Sequence, residues 1–169
     1  EIKVTKLAVD FSEIKGKIKP MHAVNNGPID GPWGLETVSL FKEAGIPYAR
    51  NHDAAVCPAY GGEHVVDISA LFPDFDADET KEENYDFVLT DVLIKKCMKA
   101  DTEVFYRLGH RIEHEIKKYG AHPPKDFKKW AVICEHIIRH YTEGWADGFD
   151  AGIEYWEIWN EYDNGEPGK

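Results

Sequence analysis

The sequence predicts an α/β fold built on a parallel sheet, and three observations predict it. Strand-like and helical segments alternate as β-α-β-α-β-α-β, with every helix placed between two strands. The last strand-like run, EYWEIWNE (154–161), is largely apolar on both sides, as in a strand covered on both faces. All four strand-like runs end in polar side chains, which a parallel sheet gathers onto one rim.

The segments follow in order. After a polar lead-in, residues 1–17, IKPMHAVNN (18–26) reads as the first strand and runs into a Gly/Pro loop. LETVSLFKEAG (35–45) places Leu35, Val38, Phe41 and Ala44 at helical spacing, with Gly45 as its C-terminal stop. IPYARNHD (46–53) is the second strand, followed by a long excursion from Ala54 to about Glu83. NYDFVLTDVLIKKCMKA (84–100) spaces Leu89, Leu93 and Cys97 four apart, as on a buried helix face. EVFYRLGH (103–110) is the third strand. Asp126 then caps the strongest helix, whose stripe is Phe127, Trp130, Cys134, Ile137, Tyr141 and Trp145. IEYWEIWNE (153–161) closes the series, and 162–169 begins the loop after it. Two architectures accommodate this order: an open doubly wound sheet, or half of a (β/α)₈ barrel, whose complete form takes roughly 250 residues.

Composition excludes several classes. The 169 residues make one domain by length, and 43% hydrophobic with 12% aromatic content argues for a packed core. The formal net charge of −11 disfavours nucleic acid and anionic membranes as partners, because phosphate binding needs a basic footprint. No stretch is long and apolar enough to span a membrane. Cys57, Cys97 and Cys134 form no CxxC pair, and the last two read as small core residues. Residue 1 is Glu rather than Met, compatible with a removed leader or tag; this tilts the expected location towards secreted or periplasmic.

The expected rim brings together His22, Asn25 and Asn26, then Arg50, His52 and Asp53, then Arg107 and His110, then Asn160 and Glu161. Glu161 is the sharpest candidate. A carboxylic acid held protonated can donate to a leaving oxygen, as glycosidic cleavage requires. A lone Glu at a strand end more often caps the next turn, so its neighbours decide the matter. Other constellations fall short. His136 and His140 are four apart, a metal-ligand spacing, but flank an apolar stripe without a third ligand, and read as a solvated or packing pair. His114-Glu115 lacks the second His of HExxH, since Lys118 stands there. Asp74, Asp76 and Asp78 imitate an EF-hand start, yet Glu79 and Tyr85 replace the required Gly and Glu; an acidic surface loop is expected. Neither GxGxxG nor GxxxxGK[ST] occurs, which weakens a nucleotide-binding sheet, and no cofactor is expected.

IEYWEIWNE resembles the fourth-strand motif of clan A glycoside hydrolases, in which Asn-Glu ends the strand. KIKPMHAVNNGP, FKEAGIPYARNHD, FPDFDADE and KKWAVICEHIIRHYTEGWADG are similar to the N-terminal half of family 39, which holds β-xylosidases and α-L-iduronidases. The resemblance spans the chain from about Lys17 and is most specific at Trp159-Asn160-Glu161. It implies a (β/α)₈ TIM barrel of which residues 1–169 supply the first four βα units, and a carbohydrate substrate. It implies Glu161 as the general acid/base and Asn160 as the partner of the substrate 2-hydroxyl. His52, His22 and Asn25 would line the sugar subsite, and Arg50 would brace the acid/base region. Family members usually carry Pro after the motif, where this chain has Tyr162.

A retaining glycosidase needs a second carboxylate roughly 5–5.5 Å from the first. In clan A it comes from the seventh strand, which four βα units do not include. The expectation is therefore a chain inactive alone, completed by a C-terminal half or by a self-association partner. The alternatives are a non-catalytic carbohydrate- or partner-binding α/β module, and an open flavodoxin-like sheet binding a nucleotide.

Overall fold

The computed structural model describes residues 5–30, 35–51, 65–110 and 123–160. Four parallel strands form one sheet in the order β1-β2-β3-β4: β1 is Val24–Asn25, β2 Tyr48–Arg50, β3 Glu103–Leu108 and β4 Tyr155–Ile158. Helix α1 (Val38–Ala44) lies between β1 and β2 in the chain. Helices α2 (Ile68–Leu71) and α3 (Val88–Lys99) lie between β2 and β3, and α4 (Phe127–Glu143) between β3 and β4. Sequential order with parallel pairing demands a crossover between each pair of neighbours, and the helices supply it.

Local chemistry accounts for the helix ends. Asp126 accepts hydrogen bonds from the backbone N–H groups of Lys128 and Lys129 at 2.8 and 3.1 Å, the expected N-cap of α4. Gly45 stops α1 in the left-handed conformation, φ 59°, and Ile46 N–H then reaches the Phe41 carbonyl at 3.1 Å. Gly144 ends α4 in the same way at φ 78°.

The main core has a simple origin. Side chains alternate along a strand, and the register puts Val24, Ala49, Val104, Tyr106, Leu108 and Trp156 on one face of the sheet. These are the strand residues of the core, packed with Ile94 and Cys97 of α3 and Ile133, Cys134, Ile137 and Tyr141 of α4. Tyr106 packs between Trp156 and Tyr141 in tilted ring contacts, with centroids 5.0 and 5.7 Å away. Full burial of each aliphatic side chain contributes about 1.5–3 kcal/mol.

The opposite face carries different residues. Tyr48, Phe105 and Tyr155 form an aromatic row, with centroids 5.4 and 5.6 Å apart, and beside them run Arg50, Arg107 and Glu157.

Several expectations need correction. The first strand is two residues long instead of nine, because only Val24 and Asn25 find partners on β2; residues 5–23 are exposed chain, Leu7 and Phe11 among them. β4 is not covered on both faces: Tyr155 is 43% and Ile158 71% exposed, since β4 is an edge strand of the sheet that the described residues form. The buried face of α3 is Thr90, Leu93, Ile94 and Cys97, so Leu89 lies a step off it. Phe127 likewise stands outside the stripe of α4, at the exposed first turn. The acidic surface loop, by contrast, is as expected: Asp74, Asp76 and Asp78 are exposed in turns, with Asp74 and Asp78 accepting from the backbone N–H of Asp76 and Thr80.

Candidate functional site

Parallel pairing places the carboxyl ends of all four strands on one side of the sheet. The rim there is bound strand to strand. Asn26, left-handed at φ 62°, donates its N–H to the Arg50 carbonyl at 2.6 Å, and Asn51 N–H reaches Phe105 O at 3.2 Å. Trp159 N–H donates to Leu108 O at 2.6 Å. Trp159 itself has φ 66°, an uncommon conformation for a bulky residue. Its ring lies 5.6 Å from that of His110 and 6.3 Å from that of Trp130.

The polar centre of this rim is Arg50. From β2 it crosses β3 to meet Glu157 on β4 through two hydrogen bonds, Nε to Oε2 at 2.6 Å and Nη2 to Oε1 at 2.7 Å. Nη2 also donates to Asn160 Oδ1 at 2.7 Å. The side chains of Arg50 and Glu157 are 24% and 29% exposed, so the pair is partly shielded, and its bidentate geometry is the stronger kind of charge-assisted contact.

A second group braces the rim below it. Arg107 is wholly buried, with Nη2 2.9 Å from Asp67 Oδ1 and Nη1 donating to the His110 carbonyl. Its backbone N–H donates to Asn51 Oδ1 at 2.7 Å. Two amide nitrogens of the rim, Asn51 Nδ2 and Asn160 Nδ2, are buried without a hydrogen-bond partner among the described residues. A buried donor left unpaired costs about 1–3 kcal/mol, so each is a natural point for a ligand oxygen.

The expected site residues separate accordingly. Arg50 and Asn160 are in direct contact. Asn25 is exposed at the end of β1, in register with Arg50. His22 does not end the first strand: it precedes β1, and its Nε2 lies 2.8 Å from the carbonyl of Gly45, the residue that stops α1 ahead of β2. The shortness of β1 is the reason, because it leaves His22 on the amino-end side of the sheet. Arg107 serves as a buried brace rather than an open rim group. His52, Asp53 and Glu161 lie outside the described residues, as do His114 and Cys57. His136 and His140 are packing residues, 8% and 1% exposed, each with a backbone carbonyl as partner.

Sequence reading missed Glu157, Asn51 and Asp67. For Glu157 a signal existed: an acid inside an aromatic strand must find a positive partner or remain costly to bury. Asp67 carried none, since it lies in the long excursion after β2.

No family model matches the chain, and no curated protein does. Among solved structures, a crystal structure of a glucosidase from Croceicoccus marinus matches with a TM-score of 0.69 and 23% identity, over 90% of this chain. The chain spans 31% of the length of that glucosidase. At this level of identity the likeness is one of fold: the four-stranded parallel sheet and its helices recur inside a larger enzyme.

Proposed function

We propose that this chain is the N-terminal half of a (β/α)₈ retaining glycoside hydrolase, similar to family 39 and β-xylosidase-like in substrate. The observation that carries the reading is Asn160, held by Arg50 at the carboxyl rim of a parallel sheet, immediately before Glu161. The glucosidase of related fold supports the hydrolase class. A barrel is supported by the sheet itself, whose core-forming side chains all come from one face while the other bears polar and aromatic groups. A largely apolar groove beside β4, lined by Leu108, Trp130, Cys134, Ile138 and Ile158 and rimmed by Glu135, Arg139 and Glu143, is where a further helix of the series would pack in this reading.

In this reading Glu161 protonates the glycosidic oxygen as the bond to the leaving group breaks. Its carboxylate then takes a proton from the water that releases the sugar. Asn160 donates to a sugar hydroxyl. The nucleophilic carboxylate comes from a later strand, so catalysis needs the other half of the barrel.

The test has two arms. Methyl β-D-xyloside titrated into the chain and followed by NMR should bind, and Asn160→Ala should weaken the binding about tenfold. Hydrolysis of an aryl β-xyloside should be absent with residues 1–169 alone, present when four further βα units bearing a strand-end Glu are joined, and lost again with Glu161→Gln. Binding without turnover in the joined protein would favour the non-catalytic carbohydrate-binding module. A folded chain that binds neither xyloside nor glucoside would overturn both.

A further inference from the structure

We infer that Glu157 is a positioning residue, which holds Arg50 so that the guanidinium locks the Asn160 carboxamide in one of its two orientations. The geometry gives the reason. Glu157 engages Nε and Nη2 together, which sets the plane of the guanidinium. The other hydrogen of Nη2 is then aimed at Asn160, at 2.7 Å. A guanidinium has donors and no acceptor, so the atom it meets must be the amide oxygen. Trp159, at φ 66°, is the residue at which the chain turns after β4, immediately before Asn160. The amide flip is thereby decided, and Nδ2, buried and without a partner among the described residues, is the group left for a ligand.

The chemical consequence is a selection rule. Nδ2 only donates, so Asn160 takes a ligand atom with a lone pair, a hydroxyl or carboxylate oxygen, and rejects an ammonium or amide N–H at that point. This inference deepens the carbohydrate reading, and rests on it only in naming a sugar hydroxyl as that oxygen. Glu157 need not touch the ligand. It acts through Arg50, whose reach from β2 to β4 also crosses the strand between them.

The experiment uses the ¹⁵N-labelled chain and the side-chain amide signals of Asn160, identified by their disappearance in Asn160→Ala. Glu157→Gln should move these signals to the position of a free amide, while Glu154→Gln, which removes an exposed charge nearby, should leave them in place. Arg50→Lys is the second variant. It keeps a positive charge beside Glu157 but cannot bridge both partners, and should release the amide in the same way. With methyl β-D-xyloside as probe, Asn160→Ala and Glu157→Gln should each weaken binding about tenfold, and the double variant by about tenfold again in total, not a hundredfold. An unmoved Asn160 signal in folded Glu157→Gln and Arg50→Lys, or losses that multiply, would overturn the inference. If no sugar binds the unsubstituted chain, the carbohydrate reading fails, and the amide signals decide the role of Glu157 alone.

Discussion

Arg107 and Asp67 form a buried ion pair, with Nη2 2.9 Å from Oδ1, the arginine side chain wholly covered and that of the aspartate 6% exposed. It ties the centre of the sheet to the segment leading into α2, which also donates Ile68 N–H to Gly109 O at 3.0 Å. A charge in such a place depends on its partner. Asp67→Ala should cost roughly 3–5 kcal/mol in urea unfolding, because it strands the guanidinium. Replacing both residues, as Asp67→Leu with Arg107→Met, should cost less than Asp67→Ala alone. A double variant as unstable as the sum of the singles would show that the pair is not coupled.

His140 joins three elements. Its Nε2 lies 3.0 Å from Asp91 Oδ1 on α3, its Nδ1 2.8 Å from the Trp145 carbonyl, and its ring stacks on Phe87 at 3.6 Å. The turn that follows α4 has Ala146 and Asp147 at positive φ, 55° and 59°, and is packed so closely that a Cβ on Gly148 would collide with the His140 carbonyl. Both His140→Ala and Gly148→Ala should therefore lower stability, by about 2–4 kcal/mol for the first through lost packing and the lost hydrogen bond to Asp91, and about 1–3 kcal/mol for the second through the clash. Thermal unfolding of the two variants checks this; a Gly148→Ala protein as stable as the parent would contradict the packing described.

Burial pushes the thiols of Cys97 and Cys134 up to about 12 from an ordinary 9.0. Folding therefore favours the protonated thiol. The sign follows: the contribution to stability is whole below pH 9, where both states are protonated, and is lost between pH 9 and about 12 as the unfolded chain ionises first. Tyr106 and Tyr141, also raised by burial, act in the same direction. Denaturation midpoints should fall as pH rises above 9, and iodoacetamide at pH 8 should leave both thiols unmodified until the protein unfolds.

The aromatic row of Tyr48, Phe105 and Tyr155, with the open edge of β4, is a surface prone to pairing. Light scattering of residues 1–169 should show species larger than a monomer, and Tyr155→Lys with Ile158→Lys, both on exposed β4 positions, should reduce them. A monodisperse monomer at all concentrations would remove self-association from the reading.

The helices α1, α3 and α4 were the legible part of the sequence, while the four-residue α2 was hidden in the long excursion after β2. Asp126 and Gly45 announce their caps by residue type, and the period of Cys134, Ile137 and Tyr141 names the buried side of α4. β3 was legible for a similar reason, since Val104, Tyr106 and Leu108 alternate with residues of the other face. The strand ends were less so. His22 and Asn26 sit in one apolar run, and only the pairing with β2 decides that the strand starts after His22. At the candidate site, the polar rim could be read, but the contact of Arg50 with residues 107 and 110 positions away in sequence could not. Such contacts follow from the register of strands, which no local pattern encodes.

The strands differ in length, two, three, six and four residues from β1 to β4, and this sets an order of opening. β3 is flanked by strands on both sides and backed by the core, so its amides from Val104 to Leu108 should exchange with solvent last. β1 is held by two pairs and should exchange first. Partial unfolding of this chain would thus begin at its amino-terminal edge and release β1 and α1 while the unit from β3 to β4, with Arg107 at its centre, remained folded.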